Sequence, residues 1–114
     1  MSAARYLDAR GYGSRELIFH VIVILRQEQE LNAQLDFWEK HTDGLALRLG
    51  RGYSFTRYKL FAEAAEEYES ALISAPDSRY ILEDAIQANR LAGRPSRVKE
   101  LQTRLASQPE AANK

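Results

Sequence analysis

Few residues in this 114-residue chain are of types that do chemistry, and their spacing decides what they can do. There are two histidines. His20 sits inside an apolar run and His41 follows Lys40, and neither has a histidine or acidic partner at metal-ligand spacing such as H-E-x-x-H. The absence of cysteine removes disulfides, thiolate metal sites and thiol nucleophiles together. Ser14, Ser54, Ser70 and Ser74 stand in no G-x-S-x-G elbow, and no glycine-rich phosphate loop appears. Glu63, Glu66, Glu67 and Glu69 crowd one stretch, where a solvated outer helix face explains them better than paired acid–base work. The expectation is a protein that is not an enzyme, with no catalytic, cofactor or metal site.

The cations offer more. Arg26, Arg57 and Arg90 recur at spacings of 31 and 33 residues. Such a row can grip an acidic or extended protein segment through charge-assisted hydrogen bonds. The competing reading is that each arginine only complements the dipole at the end of its own helix. Sixteen basic and sixteen acidic residues give a formal charge of zero, so no global field draws the chain to nucleic acid. The apolar run at residues 17–25 (LIFHVIVIL) has nine residues, well short of the ~20 that span a bilayer. Glu16 before it, Arg26 after it and the lack of a small-residue cleavage pattern also argue against a signal peptide. No direct membrane insertion is expected, and the composition leaves cytoplasm and periplasm equally open.

Elements must position these groups, and breaks divide the chain into pieces of similar size: residues 11–14, the polar 27–30, 42–44, 76–78 and 93–96. Residues 62–73 (AEAAEEYESALI) are strong helix formers, with Ala64, Ala65, Tyr68, Ala71 and Leu72 in one apolar stripe. Ser78 is a fitting N-cap for a helix through residue 92, with Leu82, Ala85, Ile86 and Leu91 on one side and Gly93 as the stop. Pro95 opens a last helix whose apolar face is Val98, Leu101 and Leu105. The β-branched run at 17–25 has no partner strand, so it reads as part of a helix over 14–27, followed by another over 30–41. Six main helices are expected over residues 14–107, preceded by an N-terminal helical segment at 1–13 and followed by a tail at 108–114 without apolar periodicity.

Leu49-Gly50-x-x-Tyr53, then Ala64-x-x-x-Tyr68, then Pro76 reproduce the tetratricopeptide pattern in order, and the chain resembles the tetratricopeptide repeat family. In that pattern Gly50 and Ala64 let two helices approach closely, Tyr53 and Tyr68 fill the space between them, and Pro76 ends the second helix. Weaker copies flank it: Ala33 and Phe37 stand 31 residues before Ala64 and Tyr68, and Val98 stands 34 after Ala64. The first copy has His20-Val21 in place of Leu-Gly, and the third has Gln102 in place of the aromatic. The resemblance implies an all-α fold of antiparallel helix pairs, stacked as a short right-handed superhelix of about three repeats.

What the resemblance implies for function is a protein–protein interaction scaffold or adaptor that holds a partner in a concave groove lined by the first helix of each pair. The groove would present Arg15, Ile18, Phe19, Ile22 and Arg26, then Arg48, Tyr53 and Arg57, then Tyr80, Glu83, Gln87 and Arg90. Of these, Arg26, Arg48, Tyr53, Arg57, Tyr80, Gln87 and Arg90 are the candidate partner contacts. One subclass of the family captures a partner's C-terminal carboxylate with Lys, Asn and Arg; this chain has Ile18, Leu49 and Glu83 at those places, which implies scaffolding without tail capture. The alternative is a self-associating structural subunit, a homo-oligomer in which a second copy covers Ile18, Phe19, Ile22 and Leu25, or an excerpt of a larger scaffold of a secretion or export assembly.

Overall fold

A computed structural model describes residues 15–108, and among them every regular element is a helix. There are five: α1 Arg15–His41, α2 Gly44–Arg57, α3 Phe61–Ser74, α4 Arg79–Leu91 and α5 Pro95–Ala106. The expectations for residues 1–13 and for the tail after residue 108 lie outside the described residues.

The break expected at residues 27–30 is absent, and α1 runs unbroken through 27 residues. Gln27, Glu28, Gln29 and Glu30 are polar, but each is a good helix former and none is Gly or Pro. Polarity there marks exposure and not a stop. Five helices therefore stand where six were expected, and the first copy of the repeat is a single helix instead of a pair. The chain divides into two compact units, Met1–Ala33 and Gln34–Lys114, with the boundary inside α1. In the first unit, Ile18, Phe19, Ile22, Ile24 and Leu25 are all exposed, and Leu31 is buried.

The second unit holds the end of α1 and the four later helices. Each of α2 to α5 packs chiefly on its neighbours in sequence. Connections of three, four and three residues between them leave room only for antiparallel neighbours. The core is built from Ala64, Ala65, Ala71 and Leu72 of α3, Ile81, Leu82, Ala85 and Ile86 of α4, and Val98 and Leu101 of α5. The alanines keep the backbones close, and the leucines fill what remains.

Local signals set the ends. The Ser78 hydroxyl accepts the Ile81 backbone N–H at 3.4 Å, capping α4. Gly93, at φ +75°, takes the left-handed turn that ends it. Pro95 occupies the first turn of α5, where its missing N–H leaves no helical bond unmade. Leu91 departs from expectation: it is 48% exposed. Nine positions beyond Leu82, at about 100° per residue, it comes out on the opposite side of the helix, and Asn89 takes the buried place.

Candidate functional site

The surfaces of α2 are set by two glycines. A Cβ on Gly50 would collide with the indole of Trp38, and a Cβ on Gly52 would lie 2.7 Å from Cε1 of Tyr68. α2 is thus thinned on two sides so that an aromatic from α1 and one from α3 can lie against its backbone. The Trp38 Nε1–H donates to Ser54 Oγ at 2.9 Å, and that hydroxyl donates to Gln34 Oε1 at 2.9 Å. Gln34 Nε2 in turn donates to the Tyr58 hydroxyl at 3.3 Å, so the fully buried Ser54 is satisfied on both sides.

This geometry corrects two expectations. Trp38 and Gln34 do what was expected of Phe37 and Ala33, one residue later in the chain; Phe37 is 52% exposed and Ala33 is exposed. Tyr53 does not fill the space between helices, since it is 56% exposed; Gly52 makes the room, and Tyr68 alone occupies it.

The carboxylates of α3 divide. Glu63 and Glu66 form the solvated face that was expected. Glu67 does not: it is buried and accepts from Arg48 Nη1 at 3.1 Å and Arg51 Nε at 2.9 Å, fastening α3 to α2. Glu69 is half-buried and accepts from Asn89 Nδ2 at 2.9 Å and Arg97 Nε at 2.6 Å, tying α3 to α4 and α5. Arg48, a candidate partner contact, therefore already holds a carboxylate of its own chain. Sequence reasoning passed over Gly52 and Trp38 and placed Glu67 on the solvated face. Gly52 left a usable signal, because a second glycine two residues after Gly50 in a helix costs stability unless a neighbour needs the space.

What remains open is the outer face of α2 and α4. Both pack on α3, whose Tyr68 hydroxyl is 3.5 Å from Thr56 Oγ1 of α2 and feels the charge of the Asp84 carboxylate of α4. Tyr53 lies one turn before Thr56, Tyr80 one turn before Asp84, and Gln87 one turn after it. Tyr53 and Tyr80 are among the exposed large side chains, Tyr80 at 82%. Arg57 and Arg90 lie exposed in the last turns of their helices, and Arg90 Nη1 donates to Gln87 Oε1 at 2.9 Å. Arg26 belongs to the other unit, with Arg15, Ile18, Phe19 and Ile22. Being well inside α1, Arg26 is not explained by a helix-end dipole.

Burial pushes the Tyr68 phenol above its ordinary value, the Thr56 hydrogen bond opposes this, and the Asp84 charge adds to it. Burial and the neighbouring Glu83 push the Asp84 carboxyl up as well. A phenol raised in the folded state lends stability that is complete below its unfolded value of 10.0 and is lost as the pH climbs through the raised one. Denaturant midpoints are thus expected to fall on going above pH ~10, and less steeply in Tyr68→Phe, which keeps the ring on Gly52. Equal slopes in the two proteins would show that Tyr68 ionises without strain.

Among the described residues, no three His, Asp or Glu side chains gather closely enough to hold a metal ion. No described helix is long and apolar enough to cross a membrane. No family model, curated protein or solved structure matches this chain.

Proposed function

We propose that this protein is an interaction module of tetratricopeptide type, not an enzyme, which holds an extended segment of a protein partner along the outer face of α2 and α4. The observation that carries the reading is the pair of tyrosines, Tyr53 and Tyr80, left in solvent on the two helices that pack on either side of α3. Exposed aromatics combine large contact area with few rotatable bonds, and with arginine they dominate the energetics of protein interfaces. Arg57, Arg90 and Gln87 border them with donors suited to backbone carbonyls or carboxylates.

A random peptide library selected on the immobilised protein tests this. Selected peptides are expected to bind at least about tenfold more weakly to Tyr53→Ala/Tyr80→Ala, since interface aromatics commonly carry more than 2 kcal/mol. The exposed positions keep the change from disturbing the fold. Peptides that bind wild type and variant alike would place recognition elsewhere.

A second reading, self-association through the first half of α1, is favoured by one observation: five large apolar side chains, Ile18, Phe19, Ile22, Ile24 and Leu25, are exposed within eight consecutive residues. Contiguous apolar surface of this kind marks an interface. Light scattering over a concentration series is expected to show a mass above the monomer that falls in Ile22→Glu/Leu25→Glu; a monomeric wild type at high concentration would remove this reading.

A further inference from the structure

The net charge of zero hides a separation of charge along the second unit. Residues 92–106 carry Arg94, Arg97, Lys99 and Arg104 against Glu100 alone. Two of those cations are engaged at home: Arg97 by Glu69 and Glu100, and Arg104 by the Pro76 carbonyl at 2.9 Å. Arg94 and Lys99 have no carboxylate within ion-pair distance among the described residues, and Arg90 donates to the neutral Gln87. These three cations line a cleft of about 610 Å³ between the end of α4 and the start of α5, together with Gly93, Pro95, Val98 and Gln102. A cleft lined by cations and by apolar side chains fits an acidic segment that offers one bulky apolar side chain.

The last turns of α1 offer such a segment. Phe37 is exposed, and Asp36 and Glu39 beside it are exposed as well. Trp38 between them turns the other way, onto Gly50 and Ser54, so the outward side carries Asp36, Phe37, Glu39 and Lys40, with the phenyl ring tilted against His41 at 4.5 Å. Asp36 shares its charge with Lys40 at 3.0 Å, while Glu39 and Asp43 have no cation within ion-pair distance among the described residues. The two surfaces sit on the first and last helices: α1 meets α2 through Trp38, and α2 to α5 pack chiefly on their sequence neighbours. Contact between them is therefore contact between chains.

We infer that a second copy of this chain is the occupant of the cleft, docking head to tail with its Phe37 over Val98 and its Asp36 and Glu39 against Arg90, Arg94 and Lys99. Such a contact is heterologous: each added copy brings one filled and one open site, so assembly grows with concentration beyond the dimer unless a ring closes. It weakens with salt, because exposed charges are screened. It shares only Arg90 with the α2–α4 face, so Arg94 and Lys99 test it separately, and the salt dependence separates it from apolar association through residues 17–25.

Charge exchange tests it, with sedimentation velocity of the full chain at low and at high salt. Arg94→Glu/Lys99→Glu makes both ends negative, and Asp36→Lys/Glu39→Lys makes both positive. Each variant alone is expected to need at least about tenfold more protein for the same degree of low-salt assembly, and an equimolar mixture is expected to restore it, because every contact is then again between opposite charges. Circular dichroism checks that each variant is folded. Phe37→Ala weakens assembly at both salts. Variants that assemble like wild type, a mixture that stays dissociated, or a wild type that is monomeric at low salt would each overturn the inference.

Discussion

Leu82→Ala is expected to remove ~2 to 5 kcal/mol of folding stability, the range for truncating a fully buried leucine in a core that cannot collapse onto the gap. Leu82 is 0% exposed on α4, the helix that packs on both α3 and α5, so the void opens where three helices meet. Stabilities of domains this size are ~5 to 15 kcal/mol, and the variant is expected to approach half-unfolding at moderate temperature. Leu91→Ala on the same helix is the control, since its side chain is half in solvent, and it is expected to change stability by less than ~0.5 kcal/mol. Denaturant midpoints at constant slope give both numbers. Equal, small losses would mean that α4 does not bury the face described.

The second large effect lies at the α2–α3 seam, where the sign of a substitution tests the geometry. Alanine is a better helix former than glycine by ~1 kcal/mol, so Gly52→Ala would stabilise an open helix. Here its Cβ would lie 2.7 Å from the Tyr68 ring, and overpacking of this kind costs ~1 to 3 kcal/mol. Repulsion outweighs propensity, and a net loss is expected. In a Tyr68→Ala background the ring is gone and the same change is expected to gain stability. Ala64→Leu, at a fully buried position of α3, is expected to lose ~1 to 3 kcal/mol for the same reason. A Gly52→Ala protein more stable than wild type with Tyr68 intact would show that the two helices are further apart.

Most helix ends after residue 42 were legible because they carry unambiguous chemistry: Gly44 and Gly93 at positive φ, Ser78 at a cap, Pro95 in a first turn. The turn at 58–60 was not, since Lys59 at φ 63° takes it with no Gly or Pro. The buried stripes were legible because Ala64, Ala65, Tyr68, Ala71 and Leu72 repeat at helical spacing. Residues 27–30 misled because a polar run resembles a linker while its residue types propagate a helix. Phe37 and Trp38 could not be ranked from sequence, since adjacent aromatics point about 100° apart and only the indole N–H with Ser54 opposite decides which turns inward. Glu67 looked like its exposed neighbours, because burial of a carboxylate depends on Arg48 and Arg51 arriving from another helix. In the candidate site, Arg57, Tyr80, Gln87 and Arg90 are exposed, Tyr53 is exposed where the pattern placed it between helices, and Arg48 is already paired.

The most direct measurement of the central proposal is an NMR footprint of a library-selected peptide titrated into the isotope-labelled protein. The account predicts shifts at the amides of Tyr53, Thr56, Arg57, Tyr80, Asp84 and Gln87, with little change at Glu63, Glu66 and Ile73 on the other side of α3. Shifts gathered on Glu63, Glu66 and Ile73, with the α2–α4 face unmoved, would contradict it.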